Sequence, residues 1–416
     1  MKRTVLASVA AMFLAAVCCI ALPVSSASDN KKPSAAKVTF NKDVAPIFYK
    51  NCSECHRAGE IAPFSLMSYK ESRPWARSIK EKVATKVMPP WHADPAHGEF
   101  ANDRRLSQKE IDTIVAWVDG GAVEGEAKDL PPAPKFVDGW NIGTPDVIFK
   151  MPEAYTVPAS GVVEYKYFNV KTNFTEDKWI QAAELRPDKR AIVHHIIVFV
   201  QYKGQQQLLV GYAPGEQAAV MERGLAKRIP AGATLIFQVH YTPNGTEVKD
   251  QSYLGLVFAK EKPKNELMVV PVMNGRFVIP AGDPNYKVES TYTFKEDARI
   301  RSLMPHMHLR GKDFLYKVTF PDGTSKIILS VPKYDFAWQT YYKLKEPVAA
   351  PKGTRIDCLA HFDNSTGNKF NPDATKEVKW GDQTWEEMMI GWMTFTLDKN
   401  EMKSSVEPAA SVSRNQ

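Results

Sequence analysis

Cysteine is scarce in this sequence, and so are other features that would point to particular classes of protein. Only three of the five cysteines, Cys52, Cys55 and Cys358, lie beyond the apolar start of the chain, too few for a fold built on disulfides. After residue 22, no apolar run reaches the ~20 residues of a membrane-spanning helix. Positive charges exceed negative ones by seven, 54 − 47, and form no basic block. We therefore expect a disulfide-poor protein with no stable membrane span and no nucleic-acid partner.

The first 27 residues have the pattern of an export signal. Lys2 and Arg3 precede an apolar run over residues 5–22, and residues 25–27 are small, as signal peptidase requires. We expect cleavage to leave a periplasmic or secreted protein in which residues 28–37 form a polar tether. The alternative is an uncleaved membrane anchor, although the run is slightly short for one.

Residues 38–128 carry helical patterns. The clearest runs from Ser107 to Val118, where Ser107 and Glu110 have the spacing of a capping box and apolar residues recur on one face. Three prolines between residues 131 and 134 then indicate a stiff linker, which we extend over residues 129–150. This part of the chain is expected to be a small all-α domain.

From about residue 151 the apolar period changes from helical to two, the period of strands. Residues 235–241 and 253–258 are typical examples, separated by turns rich in Pro, Gly and Asn. The length suggests two all-β sandwiches in tandem, which we place at residues 151–284 and 285–402. A flexible tail, residues 403–416, would follow.

Cys52-Ser-Glu-Cys55-His56 has the spacing that attaches a c-type haem. Two thiols at this distance reach the two vinyl groups of one porphyrin, and the adjacent His56 then presents its ring to the iron. The alternatives are a chance match and a small disulfide with His56 exposed. The segment resembles a small cytochrome c domain, with one helix before the motif and the capped helix after it. We expect one covalently attached haem c.

Such domains usually use a methionine thioether as the second axial ligand, which raises the reduction potential and suits electron transfer. Met88 is the preferred candidate, because it lies in a proline-fixed loop, Met88-Pro-Pro-Trp-His92. Met67 is the competitor. His92 or His97 in that position would instead give a haem with two histidine ligands and a lower potential.

Five of the nine histidines form three compact groups in the β part. His194 and His195 are neighbours in an apolar strand, where consecutive residues point to opposite faces. Both can bind one ion only if the strand bulges or the rings use different nitrogens. His240, on a second strand, can point to this pair and complete a site of three imidazoles. The alternative is one buried, hydrogen-bonded histidine and one exposed histidine.

His306 and His308 stand two residues apart, and therefore on one side of an extended chain. This is chelating geometry without distortion. Three imidazoles suit zinc or copper, whereas a pair completed by a thioether favours copper, because soft sulfur ligands select Cu(I).

Taken in order, these motifs resemble the copper type II, ascorbate-dependent monooxygenases, the family of peptidylglycine and dopamine hydroxylases. The resemblance covers about residues 150–400 and includes Glu387-Met388. It implies two jelly-roll sandwiches that each hold one copper ion across a solvent-filled cleft. It also implies an electron-transferring copper on His194, His195 and His240, and a dioxygen-binding copper on His306, His308 and Met388.

Two departures from that family stand out. Its animal members have several disulfides, and the residue after the ligand methionine is usually Cys, whereas here it is Met389. Met389 and Met393 are therefore alternatives to Met388. We prefer Met388 because it follows the acidic residue, as in the family.

These expectations combine into an exported copper monooxygenase that hydroxylates a C–H bond with dioxygen. Its catalytic residues would be His306, His308 and Met388, and its substrate a small molecule or a peptide. Electrons would pass through the fused cytochrome from an ascorbate-like reductant or another periplasmic cytochrome. The alternatives are a haem and copper electron-transfer protein without oxygenase activity, and a sensor module that has lost turnover.

Overall fold

In the computed structural model the described residues are 37–137, 139–213 and 218–398. The predicted export signal, nearly all of the tether and the predicted tail lie outside them. Within these ranges, no helix is long and apolar enough to cross a membrane. The described chain is mostly β, as the sequence predicts, and its helices all fall before residue 130.

The helical part has a small core of its own. Its helices are α1 Ala45–Asn51, α2 Tyr69–Ser72, α3 Ala76–Ala84 and α4 Gln108–Asp119, with a π turn at Phe40–Val44 and 3-10 turns at Arg73–Trp75 and Ala127–Asp129. Helix α4 begins with the predicted capping box: the Ser107 hydroxyl accepts from the Glu110 N–H, and the Glu110 carboxylate accepts from the Ser107 N–H. Trp117, Phe40 and Phe48 pack with ring centroids 5.8–6.3 Å apart at the centre.

The first β region comprises residues 147–266. Its described strands are β1 Val147–Lys150, β2 Tyr155–Val157, β3 Lys166–Lys171, β4 Lys178–Arg186, β5 Val193–Tyr202, β6 Gln205–Tyr212, β7 Ala219–Val220, β8 Leu225–Ile229, β9 Thr234–Tyr241, β10 Val248–Asp250, β11 Tyr253–Phe258 and β12 Asn265–Glu266. One sheet has the order β1-β11-β4-β8-β12, with β7 paired to β4, and another has the order β3-β9-β5-β6. Apolar side chains of both sheets form one core.

The second β region comprises residues 268–397. Its described strands are β13 Met268–Met273, β14 Val278–Ile279, β15 Tyr286–Thr293, β16 Ala298–His306, β17 Gly311–Thr319, β18 Ser325–Val331, β19 Tyr342–Ala350, β20 Arg355–Phe362, β21 Val378–Lys379 and β22 Ile390–Leu397. The sheets have the orders β13-β22-β16-β19 and β15-β20-β17-β18. They too share one core.

The change of sheets falls between Glu266 and Met268, not at the predicted boundary 284/285, because strand β13 already pairs with β22. The Pro- and Gly-containing stretch used for that boundary is a turn between β14 and β15, and turn residues mark any such connection. The first region likewise starts inside the predicted linker 129–150. Strand β1 pairs with β11, but its four residues are too few to show the alternating apolar pattern of a strand in the sequence.

Residues 91–102, within the predicted helical domain, pack on the second β region. Trp91 and Phe100 belong to its core and meet Tyr342 edge-on at centroid distances of 5.0 and 5.4 Å. Backbone bonds fix this segment: the Asp94 N–H donates to the Ser330 carbonyl at 2.8 Å, and the Ala101 N–H to the Lys343 carbonyl at 2.8 Å. The loop after Met88 is therefore anchored by strands far along the chain.

Candidate metal sites

The pairing of strands β5 and β9 brings three histidines together. His195 lies opposite His240, and the register shifts between Val193 and His195, which is a β-bulge at His194. The bulge lets two consecutive residues face one point, as a shared ion requires. One ligand atom from each of His194, His195 and His240 lies within 4.8 Å of the others.

The distances in this three-His group match those of a metal site. The Nδ1 atoms of His194 and His195 are 3.3 Å apart. Two imidazole nitrogens that bind one ion at about 2.0 Å with a tetrahedral angle are also about 3.3 Å apart. His240 has its ring centroid 5.0 Å from that of His194 and 5.1 Å from that of His195. These spacings fit a site for one metal ion.

Burial keeps these imidazoles neutral. It lowers the pKa of His194 to about 4 and that of His240 to about 3, and it places the pKa of His195 well below its ordinary value. His240 Nδ1 is buried without a hydrogen-bond partner. Buried polar atoms are rarely left unpaired, and a neutral ring nitrogen is a metal ligand. The donor set therefore fits a copper or zinc ion.

His306 and His308 form a second group at the end of strand β16. Their ring centroids are 5.2 Å apart with the rings at 89°. His306 donates through Nδ1 to Gln339 Oε1 at 2.6 Å, and His308 donates through Nδ1 to the Glu386 carbonyl at 3.1 Å. Each bond leaves the lone pair of Nε2 free. Metal-binding histidines are commonly oriented in this way, by a hydrogen bond from the ring nitrogen that does not bind the metal. His308 Nε2 is buried without a partner.

The three candidate methionines differ in their surroundings. Met389 and Met393 are fully buried within the apolar core of the second β region. Met388 is also buried but is not part of that core. Met388 is thus the one of the three outside this core, and it directly follows Glu387, which binds the backbone of His308; both facts favour it as the sulfur ligand.

Glu387 fixes this second group in place. The carboxylate is buried and accepts from the backbone N–H of His308 at 2.8 Å and of Arg310 at 2.6 Å, one on each oxygen. Burial raises the pKa of Glu387 to about 8. Glu387, the residue before Met388, thus binds the turn that carries His308.

Replacing Glu387 by alanine should therefore destabilise the protein by about 2–5 kcal/mol, because two buried N–H groups would lose their acceptor. The free energy of unfolding from chemical denaturation measures this loss. Glu386→Ala is the matched control. The half-buried Glu386 side chain accepts only one N–H, from Gln383, and its backbone carbonyl, which accepts from His308, is kept in the variant. Equal losses in the two variants would contradict the anchoring role of Glu387.

Two aromatic side chains connect the histidine groups. Tyr165 has its ring centroid 4.7 Å from His240, 5.2 Å from His195 and 6.4 Å from His308. Phe336 stacks on His194 at 5.2 Å and lies 5.8 Å from His308. The resemblance implies a solvent-filled cleft between the two sites, whereas here aromatic rings bridge them.

Hydrogen bonds between the two β regions support this closed arrangement. The Tyr165 N–H donates to Gln383 Oε1 at 3.1 Å, and the Tyr167 hydroxyl donates to Asp382 at 3.3 Å. His240 Nε2 lies 3.5 Å from the Thr384 hydroxyl. The loop before Met388 is thereby held against the three-His group. No motif in the sequence indicates which other residues lie beside the histidine groups, namely Tyr165, Phe336, Gln339 and Thr384.

The Cys52-Ser-Glu-Cys55-His56 motif follows helix α1. Burial raises the pKa of Cys52 to about 12 and also raises that of Cys55, so both thiols are protonated at neutral pH. His56 donates through Nδ1 to the Phe64 carbonyl at 3.1 Å, which leaves Nε2 for an iron ion. Phe64 also packs on the His56 ring at a centroid distance of 4.8 Å. Free thiols and an oriented imidazole fit a covalently attached haem.

The candidates for the second axial ligand lie in two loops. Met67 is half-buried, and its carbonyl accepts from the Tyr49 hydroxyl at 3.0 Å. Met88 is half-buried just after helix α3, where its N–H donates to the Lys82 carbonyl at 3.1 Å. His92 and His97 belong to the segment anchored on the second β region. The choice of Met88 stays a prediction.

No family model and no curated protein matches this sequence. Solved structures with some similarity include the major capsid protein P2 of bacteriophage PM2, with 9% identity, 60% of this chain and 97% of that chain covered, and a TM-score of 0.29. PNGF-II has 10% identity, 60% and 64% coverage and a TM-score of 0.24. The VP2 subviral particle of infectious bursal disease virus has 8% identity, 64% and 74% coverage and a TM-score of 0.18. These scores are too low to support a statement about function.

Proposed function

We propose that this protein is an exported copper monooxygenase that hydroxylates a C–H bond with dioxygen. The observation that carries the proposal is the cluster of five largely buried histidines, in which His240 Nδ1 and His308 Nε2 are buried without partners. His194, His195 and His240 would hold one copper ion. His306, His308 and Met388 would hold the other.

The donor chemistry favours copper over zinc at the second group. Two imidazoles and a thioether are a soft set, which suits copper, whereas zinc sites are built from imidazole, thiolate and carboxylate. The resemblance to the ascorbate-dependent monooxygenases supports the same metal and suggests that each β region is a jelly-roll sandwich. When bound, the metals would activate dioxygen and pass electrons. The chain would orient the imidazole ligands, keep them neutral by burial and exclude water.

The helical part would supply electrons as a cytochrome c-like domain. Cys52 and Cys55 would hold the haem covalently, with His56 and Met88 as axial ligands. Hydroxylation by one dioxygen consumes two electrons and two protons and releases water, while a haem carries one electron at a time. An ascorbate-like reductant or a second periplasmic cytochrome would therefore reduce the haem again after each transfer. Export of the protein is proposed from the signal-like start of the sequence.

Met88→Ala tests the axial assignment. We expect the absorption band that arises from sulfur bound to ferric iron to disappear and the reduction potential to fall, because the thioether stabilises ferrous iron. Absorption spectra and a redox titration measure both effects. Met67→Ala is the matched control and should leave the band intact; the reverse result would assign the ligand to Met67.

Metal content and labelled oxygen test the whole proposal. Protein matured with haem and supplied with copper and zinc should contain two copper ions and one haem per chain. A panel of small molecules and peptides is then screened under ¹⁸O₂ with ascorbate, and one labelled oxygen atom should appear in a product. Zinc in place of copper would favour a structural or hydrolytic role and contradict the proposal.

An electron-transfer protein without oxygenase activity is the second candidate. It is favoured by Tyr165 and Phe336, whose rings contact both histidine groups, between which a substrate would have to bind. Oxygen uptake separates the two candidates. In a monooxygenase it follows product formation one to one, whereas in an electron-transfer protein no substrate is oxygenated.

A further inference from the structure

One carboxylate links the haem-attachment motif to the first β region. Glu60, four residues after His56, accepts from Arg57 at 2.9 Å through one oxygen and from Arg190 at 2.9 Å through the other. The Arg190 and Glu60 side chains keep only 25% and 20% of their accessible surface. This ion pair is therefore screened less by solvent and salt than a fully exposed pair.

Arg190 stands in a turn that leads directly into the three-His group. The Lys189 carbonyl closes this turn, accepting from the N–H of Ile192 at 3.1 Å and of Val193 at 3.3 Å. His194 follows at once. Four residues span at most about 14 Å even when fully extended, and this turn is more compact. The contact with Glu60 thus lies within one short turn of the proposed copper ligands.

Neighbouring contacts support the same docking. The Arg190 guanidinium lies 6.0 Å from the ring centroid of Tyr212, which pairs with Ile196 on strand β5. Burial raises the pKa of Tyr212 most, the charge of Arg190 lowers it, and the charge of Glu60 raises it. Through Arg190, the segment just after the haem-attachment motif is therefore close to the strand pair that begins at the three-His group.

We propose that the Glu60–Arg190 ion pair is the positioning contact for electron transfer between the haem-attachment motif and the three-His site. The proposal rests on the function proposed above. With haem and copper bound, each transfer would oxidise ferrous haem to ferric haem and reduce Cu(II) to Cu(I), with no bond formed and no proton moved. Glu60 and Arg190 accept no electron. They fix the distance between donor and acceptor, on which the transfer rate depends steeply.

A rival route runs through the loop from Met88 to His92. The segment that continues this loop is held on the second β region, where the Asp94 N–H donates to the Ser330 carbonyl at 2.8 Å, and Phe336, six residues after Ser330, stacks on His194 at 5.2 Å. This loop therefore also approaches the three-His group. The two routes differ in which side chains control the transfer rate.

The test uses the full-length protein loaded with haem and copper. A flash with a flavin photoreductant injects one electron into the haem without oxygen, and the decay of the ferrous haem band gives the rate of transfer to copper. Glu60→Gln and Arg190→Gln remove the ion pair with little change of shape, whereas Arg190→Lys keeps the charge. Lys80→Gln and Asp119→Asn form the matched control, because these residues make an exposed ion pair between helices α3 and α4.

We expect Glu60→Gln and Arg190→Gln to slow the transfer about tenfold, the effect of roughly 1.4 kcal/mol on a rate. Arg190→Lys should recover most of the rate, and the control variants should match the wild type. The haem potential and copper content should not change, which separates positioning from damage to either site. Hydrogen exchange should become faster at residues 57–62 and 189–193 in the two slow variants.

Unchanged rates in both Gln variants, or slow transfer only in His92→Ala, would overturn the inference and leave the proposed function standing. Absence of any haem-to-copper transfer in the wild type would instead contradict the electron supply in the proposed function itself. The two failures are therefore distinguishable in one experiment.

Discussion

Replacing Met388 by isoleucine should stop hydroxylation while the three-His site keeps its copper. Isoleucine has a similar volume and no sulfur donor, so the fold should survive and the second site should lose one ligand. Loss of an outer partner of a metal costs about 10–100-fold, and loss of a ligand should cost at least about 100-fold in product formation. Copper content per chain and labelled product formed under ¹⁸O₂ measure the two effects.

Met389→Leu is the matched control for Met388→Ile. Met389 packs in the core of the second β region, and a volume-conserving swap there costs less than about 1.5 kcal/mol. Activity and copper content should therefore stay near those of the wild type. Full activity in Met388→Ile together with its loss in Met389→Leu would move the sulfur ligand to Met389.

Much of the fold is visible in the sequence, because local patterns determine single elements. Alternating apolar residues predict strands at 235–241 and 253–258, and the structure has them at Thr234–Tyr241 and Tyr253–Phe258. The Ser107 and Glu110 capping box likewise predicts the start of helix α4. Such signals depend on neighbours in the chain, so one sequence is enough to read them.

The assembly of the histidine site is only partly visible. The pattern indicates that His194 and His195 can share an ion if the strand bulges or if the two rings use different nitrogens, and the structure has a bulge there. Tyr165 and Phe336 carry no such signal, because their position between the histidine groups depends on how the two β regions meet. Gln339, the partner of His306, lies 33 residues away in a loop without a recognisable pattern.

Domain boundaries are hard to read from the sequence for a related reason. A turn inside a sheet and a linker between domains use the same residues, so composition alone does not separate them. Residues 91–102 illustrate this most clearly: they follow a helical segment, yet Trp91 and Phe100 complete the core of the second β region. A prediction from local patterns assigns such a segment to its neighbours in sequence rather than to its neighbours in space.

Replacing His240 by alanine should leave the haem reduced when oxygen is limited. His240 supplies one of the three imidazoles of this site, whose ring centroids lie 5.0–5.5 Å from one another. The two imidazoles that remain would bind an ion much more weakly. Without that copper, ferrous haem loses the acceptor that we propose for it, the three-His site. Rapid mixing with ascorbate should therefore show fast reoxidation of the haem in the wild type, at a rate independent of protein concentration, and persistent ferrous haem in the variant.

His361→Ala is the matched control for His240→Ala. His361 is half-buried in the second β region, where its Nδ1 lies 2.7 Å from Asp313, and it belongs to neither proposed copper site. Its removal should leave copper content and haem reoxidation unchanged. If the haem reoxidises equally fast in His240→Ala, the haem reacts directly with oxygen, and the three-His group is not its acceptor. Fast reoxidation confined to chains with all three imidazoles would instead make the helical part the electron donor of the same molecule.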